Sequence, residues 1–283
     1  MAKYLMLNGR ILPTASPCLF SDNRGLKFGD SFSHVIRGNS SKAFLLKQNF
    51  EFIVHAMSKM KMEKPVLFKK PVFATDIELL LQKNRIYKGF VAYVTVFRNA
   101  STDKIARDNS VSIMIVVEKH TEEWFVLNKR GLRLDVIKSF KVPEFIISNN
   151  ISPVLSEEFF FNNQDIAKVD NAWVLTDDNK ILLRTLDSDL FFVKDDKIII
   201  PKRNGFDSIS IFSWFLNSLA KDSGFQIYKA DVTEDDLANF DEIFIANPAD
   251  GLKWVLAYKE KRYFHRVSEK LLTELNDNLQ MNY

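Results

Sequence analysis

Glycine is scarce in this chain, 9 among 283 residues, where ordinary usage of about 7% would give about twenty. Cofactor cradles built from glycine-rich turns need residues without a Cβ. Neither G-x-G-x-x-G nor G-x-x-x-x-G-K-[ST] occurs. A single cysteine, Cys18, excludes an internal disulfide and fits a reducing compartment. It has no neighbouring Cys or His, which argues against a metal site or a nucleophile there. No run of about 18 apolar residues is present, and Met-Ala-Lys-Tyr-Leu at the N-terminus lacks the apolar core of a signal peptide. These absences imply a soluble, cytoplasmic chain with no membrane partner. The net charge is +3 and the cations are spread along the chain. The densest patch, Lys59 to Lys64 with Lys69 and Lys70, comes without a nucleic-acid-reading motif and reads as a solvated face.

What is present is ordinary globular material, 46% apolar and 27% charged, with an excess of Phe at 25. The length suits two compact domains, each able to bury a core. Tyr4 to Leu7, Asn8-Gly9 and Arg10 to Leu12 predict a hairpin, since Asn-Gly supplies two positive φ angles. Phe20 to Arg37 reads as a loop around Gly25, a turn at Gly29-Asp30, then a strand. A second hairpin is expected from Ser31–Arg37 and Lys42–Leu46 around Gly38 to Ser41. Phe50, Ile53, Met57 and Met60 place a helix over Lys47 to Lys61. Thr75-Asp-Ile-Glu78 reads as a capping box opening a helix to Lys83. Strands follow at Gly89–Arg98 and Ser110–Glu118, and Trp124–Leu127 with Leu132–Ile137 complete an α+β domain.

Pro143, Asn149-Asn150 and Pro153 mark a passage between domains. The expected division is 1–140, a linker 141–152, and 153–283. A short helix over Val154–Phe161 opens the second part. Short strands then recur at Ala172–Thr176, Ile181–Arg184, Leu190–Val193 and Lys197–Ile200. A helix from Ser208 to Lys221 should stop at Gly224 in a left-handed cap. Thr233 to Asp236 caps a short helix, and strands are expected at Glu242–Ala246 and Leu252–Tyr258. Val267, Leu271, Leu272 and Leu275 recur at helical spacing in the tail from His265 to Leu279.

The stretch from Ser21 to Arg37 resembles the opening of the class IV aminotransferases, roughly S-D-R-x-x-x-(F/Y)-G-D-G-x-(F/Y)-E-x-x-R. It keeps Ser21, Asp22, Phe28, Gly29, Asp30 and Arg37, and departs at Ser31, Ser33 and His34. Three more blocks follow in family order: Lys47–Ile53, Asp187–Asp196 and Asp241–Val255. The resemblance covers the chain end to end. It implies the two-domain fold type IV of pyridoxal-phosphate (PLP) enzymes, with a smaller α+β N-terminal domain and a larger C-terminal pseudo-barrel. That family includes branched-chain and D-amino-acid aminotransferases and aminodeoxychorismate lyase, and similar proteins are homodimers.

PLP chemistry needs a lysine for the Schiff base, an anion for the pyridine nitrogen and donors around the phosphate. By the resemblance the lysine position, about twenty-two residues before Ala172, is Asn150, which cannot form an imine. The pyridinium partner maps to Arg184, a cation where an anion is required. The phosphate arginine maps to Phe52, and the paired hydroxyl donors to Pro248 and Ala249. Ser208 and Ser210 begin a helix whose backbone amides can hold an anion, or they simply cap it. Arg184 reads as a pocket cation or as a surface residue on an edge strand. Arg37 reads as a pocket residue or as the partner of an acid at the strand end, and His34 as a structural histidine. The resemblance thus implies a pseudoenzyme, or a protein binding a small anion near Ser208, Ser210, Arg184 and Arg37. The alternatives are an active aminotransferase or lyase using Lys141, Lys168 or Lys253, and a purely partner-binding role.

Overall fold

A computed structural model describes residues 2–17, 21–99, 108–141, 171–202 and 211–281. The chain divides into two compact units, Met1–Trp124 and Phe125–Asn282. In the first, β1 (Tyr4–Leu7) and β2 (Arg10–Pro13) form the expected hairpin, with Asn8 at φ 50° and Gly9 at φ 77°. The stretch around Gly25 is a short helix, α1 (Arg24–Phe28), rather than a loop. Asn23 accepts from the amide of Leu26 at its start, and Gly29 at φ 64° closes its end. The strand then runs as β3 (Ser31–Asn39) and turns on Ser40-Ser41 into a short β4 (Lys42–Ala43). Gly38 stays within β3, because a Cβ there would sit 2.2 Å from the ring of Phe90.

Two helices and two long strands complete this unit. α2 (Leu46–Lys59) buries Ile53, Ala56 and Met57. α3 (Lys70–Asn84) begins well before the expected capping box, with Pro71 in its first turn. Thr75 therefore lies inside the helix, where its hydroxyl donates back to the Pro71 carbonyl. β5 (Phe90–Arg98) and β6 (Val111–Lys119) fill out a six-stranded antiparallel sheet ordered β2-β1-β6-β5-β3-β4. On β5 the residues Phe90, Ala92, Val94 and Val96 are wholly buried, while Tyr93 is exposed.

The second unit is a sheet in the order β12-β11-β10-β13-β14-β7-β8-β9, with β15 paired to β14. Its strands are β7 (Leu132–Lys141), β8 (Asn171–Thr176), β9 (Leu182–Thr185), β10 (Asp189–Lys194), β11 (Lys197–Pro201), β12 (Gln226–Ala230), β13 (Glu242–Asn247), β14 (Gly251–Tyr258) and β15 (Lys261–Arg262). β7 pairs in parallel with both β14 and β8. Leu132–Ile137 thus belongs here, not in the first domain expected at 1–140, and Trp124–Leu127 forms no strand. β12 was not anticipated; it pairs in parallel with β11. α4 (Ile211–Asp222) ends at Gly224 with φ 87°, as its spacing predicts, and a 3₁₀ turn (Asp235–Asn239) follows β12. α5 (Arg266–Met281) buries Leu271, Leu272, Leu275 and Leu279. The helix expected over Val154–Phe161 lies outside the described residues, as does most of the linker 141–152.

Among the described residues many phenylalanines fill the cores. Phe191 and Phe244 stack across β10 and β13 with centroids 4.8 Å apart, and Phe192 stacks on Phe240 at the same distance. The core of this unit gathers Leu134, Val174, Leu190, Phe192, Ile243 and Val255 from five strands. Among the described residues no helix is long and apolar enough to cross a membrane.

Side-chain hydrogen bonds, not a strand, fix the first residues of this unit. Asn128 donates to the carbonyls of Arg130 (2.6 Å) and Trp254 (3.1 Å) and accepts from the Trp254 amide (2.8 Å). Asn128→Ala strands these partly buried groups, each at about 1–3 kcal/mol. We expect the unfolding free energy from urea titration to fall by about 1–3 kcal/mol, read as a lower midpoint with the slope unchanged.

Candidate functional site

The turn from β9 into β10 carries a cluster of hydrogen-bonded polar side chains. Arg184 faces Leu175 across the β8–β9 pair and is buried. Its Nη1 donates to the carbonyls of Thr185 (3.1 Å) and Leu186 (2.7 Å), holding the turn that follows it. Thr185 and Ser188 close that turn reciprocally: the Thr185 amide donates to the Ser188 carbonyl, and the Ser188 amide to the Thr185 hydroxyl. The Ser188 hydroxyl donates to Asp187 (2.8 Å). Buried Arg184 is therefore not the surface residue of an edge strand.

Asn247, at the end of β13, joins this turn to the next. Its Nδ2 donates to the Ser188 hydroxyl (2.9 Å) and to Asp250 (3.2 Å). Its Oδ1 accepts the amides of Ala249 (2.9 Å) and Asp250 (2.7 Å). The two positions that resemble paired hydroxyl donors are thus Pro248, without an N–H, and Ala249, whose amide is directed at Asn247. Lys253 bonds Asp250 at 2.8 Å, and the Lys141 ammonium donates to the Thr176 hydroxyl at 2.5 Å. Asn150, Lys168, Ser208 and Ser210 lie outside the described residues. The cluster thus brings Arg184 and Lys253 together with Asp187, Ser188, Asn247 and Asp250, and sequence reasoning missed Asn247 entirely. An Asn before Pro is a turn signal, but its reach to Ser188, 59 residues away, leaves no local mark.

In the first unit Arg37 is buried and its Nη2 donates to the Glu122 carbonyl at 2.8 Å. Further polar groups are buried in this unit, His34 and Asn49 among them. His34 is buried, with Nε2 at 2.6 Å from Asn49 Oδ1. Asn49 uses its Nδ2 to donate to the carbonyls of Phe44 (2.8 Å) and Leu45 (3.0 Å). Its Oδ1 is therefore the acceptor, and the proton of the neutral imidazole sits on Nε2. Phe52 packs against the ring of His34 with centroids 4.7 Å apart. Burial pushes the His34 pKa down to about 4, against a smaller raising effect from Asn49. His34 is a structural histidine, as its strand position suggests. Asp30 sits between two buried arginines, Arg24 Nε at 2.9 Å and Arg98 Nε at 3.0 Å. Arg98 also donates to Asn109 (2.7 Å) and to the Met60 carbonyl (2.8 Å). Neither arginine stood out in the sequence. Among the described residues no group of His, Cys, Asp or Glu could hold a metal ion.

No family model matches the chain. Solved structures do. The T.th. branched-chain amino acid aminotransferase with pyridoxamine 5′-phosphate superposes with a TM-score of 0.85 at 17% identity, covering 100% of this chain and 96% of that one. A branched-chain aminotransferase from Thermoproteus uzoniensis gives 0.84 at 13% identity, over 99% of this chain and 95% of that one. A 4-amino-4-deoxychorismate lyase from Pseudomonas aeruginosa gives 0.79 at 19% identity, over 97% and 99%. The chain has the class IV fold of PLP-dependent aminotransferases and lyases, as the resemblance of its four blocks implies.

Two outcomes follow from the buried groups. Because the folded pKa of His34 lies below its unfolded value near 6.5, the unfolded chain takes up the proton first as pH falls. Stability is full above about pH 6.5 and declines toward pH 4 by about 1.4 kcal/mol per unit. Denaturant unfolding across that range should show the decline in the parent and a shallower one in His34→Gln. Asp30→Asn leaves two buried guanidinium groups without their shared anion. Thermal unfolding should report a loss of about 3–5 kcal/mol.

Proposed function

We propose that this protein is a class IV aminotransferase-like chain that has lost covalent PLP chemistry and serves as a cytoplasmic, homodimeric binding protein for a small anion. The observation that carries this reading is Arg184. The resemblance puts there the carboxylate that would meet a protonated pyridine nitrogen, and the residue is a buried cation on β9. Two positive groups facing each other in a low-dielectric setting repel. The other positions named by the resemblance agree: Phe52 stands against His34, Pro248 has no N–H, and the Ala249 amide turns to Asn247. With Asn150 at the lysine position, these residues do not fit PLP. Charge-assisted hydrogen bonds contribute about 1.5–3 kcal/mol each, and about 1.4 kcal/mol is tenfold in affinity. Losing the arginine and glutamate contacts together costs about a hundred- to ten-thousand-fold in PLP affinity.

The residues that the resemblance offers for anion binding are Arg184, Arg37, Ser208 and Ser210; the last two, outside the described residues, are expected from the sequence to open a helix, and N-terminal helix amides attract an anion whatever the side chains. The rival reading, an active enzyme with a relocated lysine, rests on Lys141, Lys168 or Lys253. Lys141 is engaged with Thr176 and Lys253 with Asp250, and neither arrangement favours a free amine.

Purified protein mixed with PLP should develop no internal-aldimine band. Borohydride reduction followed by peptide mass spectrometry should find no phosphopyridoxyl group on Lys141, Lys168 or Lys253. A stoichiometric adduct on any of them would overturn the reading. Titration with inorganic phosphate should show saturable binding, weakened in Arg184→Gln.

A further inference from the structure

A cleft of about 860 Å³ opens in the first unit, where the end of α3 meets the start of β1 and the end of β6. It lies within the usual size range of small-molecule sites, about 300–1,000 Å³. Lys3, Tyr4, Lys83, Asn84, Arg85 and Lys119 are among its lining residues. Its floor is held by one side chain. Asn84 Oδ1 accepts the amides of Lys3 (2.8 Å) and Tyr4 (3.0 Å), and Nδ2 donates to the carbonyls of Tyr4 (3.0 Å) and Leu80 (2.9 Å). The Lys83 ammonium is poised 4.9 Å from the centroid of the Tyr4 ring.

Strand alternation sets the charge of the walls. Val117 is buried, and Lys119 follows two residues on from the same face of β6. Glu118 is the one acid in the lining, beside Lys119 on β6. Among the described residues none of Lys3, Lys83, Arg85 or Lys119 forms an ion pair. Lys83 and Arg85 sit at the C-terminal end of α3, where cations are favoured by the helix dipole. The helix does not account for the whole cluster. Its last-turn carbonyls are already taken: Leu80 by Asn84, Leu81 by the Ile86 amide, Gln82 by the Arg85 amide. Lys3 and Lys119 belong to other elements.

Four cations from three elements around a braced concavity make a receptor for a compact, multiply charged anion. Lysines serve such ligands as mobile point charges on long stems. We propose that this cleft binds a polyphosphate chain, either free or carried by a nucleoside. The site is separate from the cluster around Arg184, so neither reading depends on the other. Because the cations are exposed, their attraction is screened beyond a Debye length of about 10 Å at 0.1 M salt, and binding weakens as salt rises.

Titration calorimetry on the full chain at low salt, with inorganic tripolyphosphate, adenosine triphosphate and adenosine as probes, tests this. Tripolyphosphate should bind, adenosine should not, and added salt should weaken binding. Affinity should fall about tenfold in Lys83→Gln with Lys119→Gln, and stay near the parent value in Lys27→Gln with Lys59→Gln, which removes the same charge elsewhere. The single variants Lys83→Gln and Lys119→Gln should each show part of the loss, which keeps the test available if the double variant is unstable. Adenosine triphosphate equal to tripolyphosphate assigns the free chain, and tighter binding assigns a nucleoside-borne one. No binding by either polyphosphate, or equal losses in the two double variants, would overturn the proposal.

Discussion

The first unit depends on one carboxylate. Asp30 receives Arg24 from α1 and Arg98 from the end of β5 on the same oxygen, and Arg98 reaches on to the carbonyls of Met60 and Lys61 beyond α2. A short helix, two strands and the exit of a long helix are thereby tied to a single half-buried charge. Such a hub is stabilising only while all its members are present, since a buried guanidinium without its anion is costly. It also fixes where β3 starts, and so fixes the registers that place His34 opposite Val94 and Arg37 opposite Val91.

In the second unit a cation plays the comparable part by a different route. Arg184 bonds the carbonyls of the two residues after it, so the turn from β9 into β10 is braced from within the chain. Asn247 extends this brace to the turn between β13 and β14. A fold and the site grafted on it vary independently.

Much of the architecture was legible. The Asn-Gly hairpin, the β5 and β6 strands, the left-handed cap at Gly224 and the tail helix all rest on interactions within a few residues, where local preference and periodicity decide. Two local readings failed for local reasons. Gly25 reads as a loop because the cap between Asn23 and Leu26 is a single side-chain bond. Thr75 reads as a cap because a Thr-x-x-Glu pattern does not reveal that Pro71 has already opened the helix. The misplacement of Leu132–Ile137 has another cause. A parallel strand takes its neighbours from far away, here β14, more than a hundred residues on, and its own sequence looks the same in either domain.

The sequence by itself determined the order of elements, the four blocks that resemble class IV enzymes, and the identity of the residues at 150, 184, 52, 248 and 249. Those are matters of covalent order and side-chain type. Only the tertiary structure decided that Arg184 is buried and bonded to its own turn, that Asp30 joins two arginines 74 residues apart, and that Lys3, Lys83 and Lys119 surround one cleft. Burial and charge pairing are set by which distant segments meet, and no local pattern in the chain encodes those meetings.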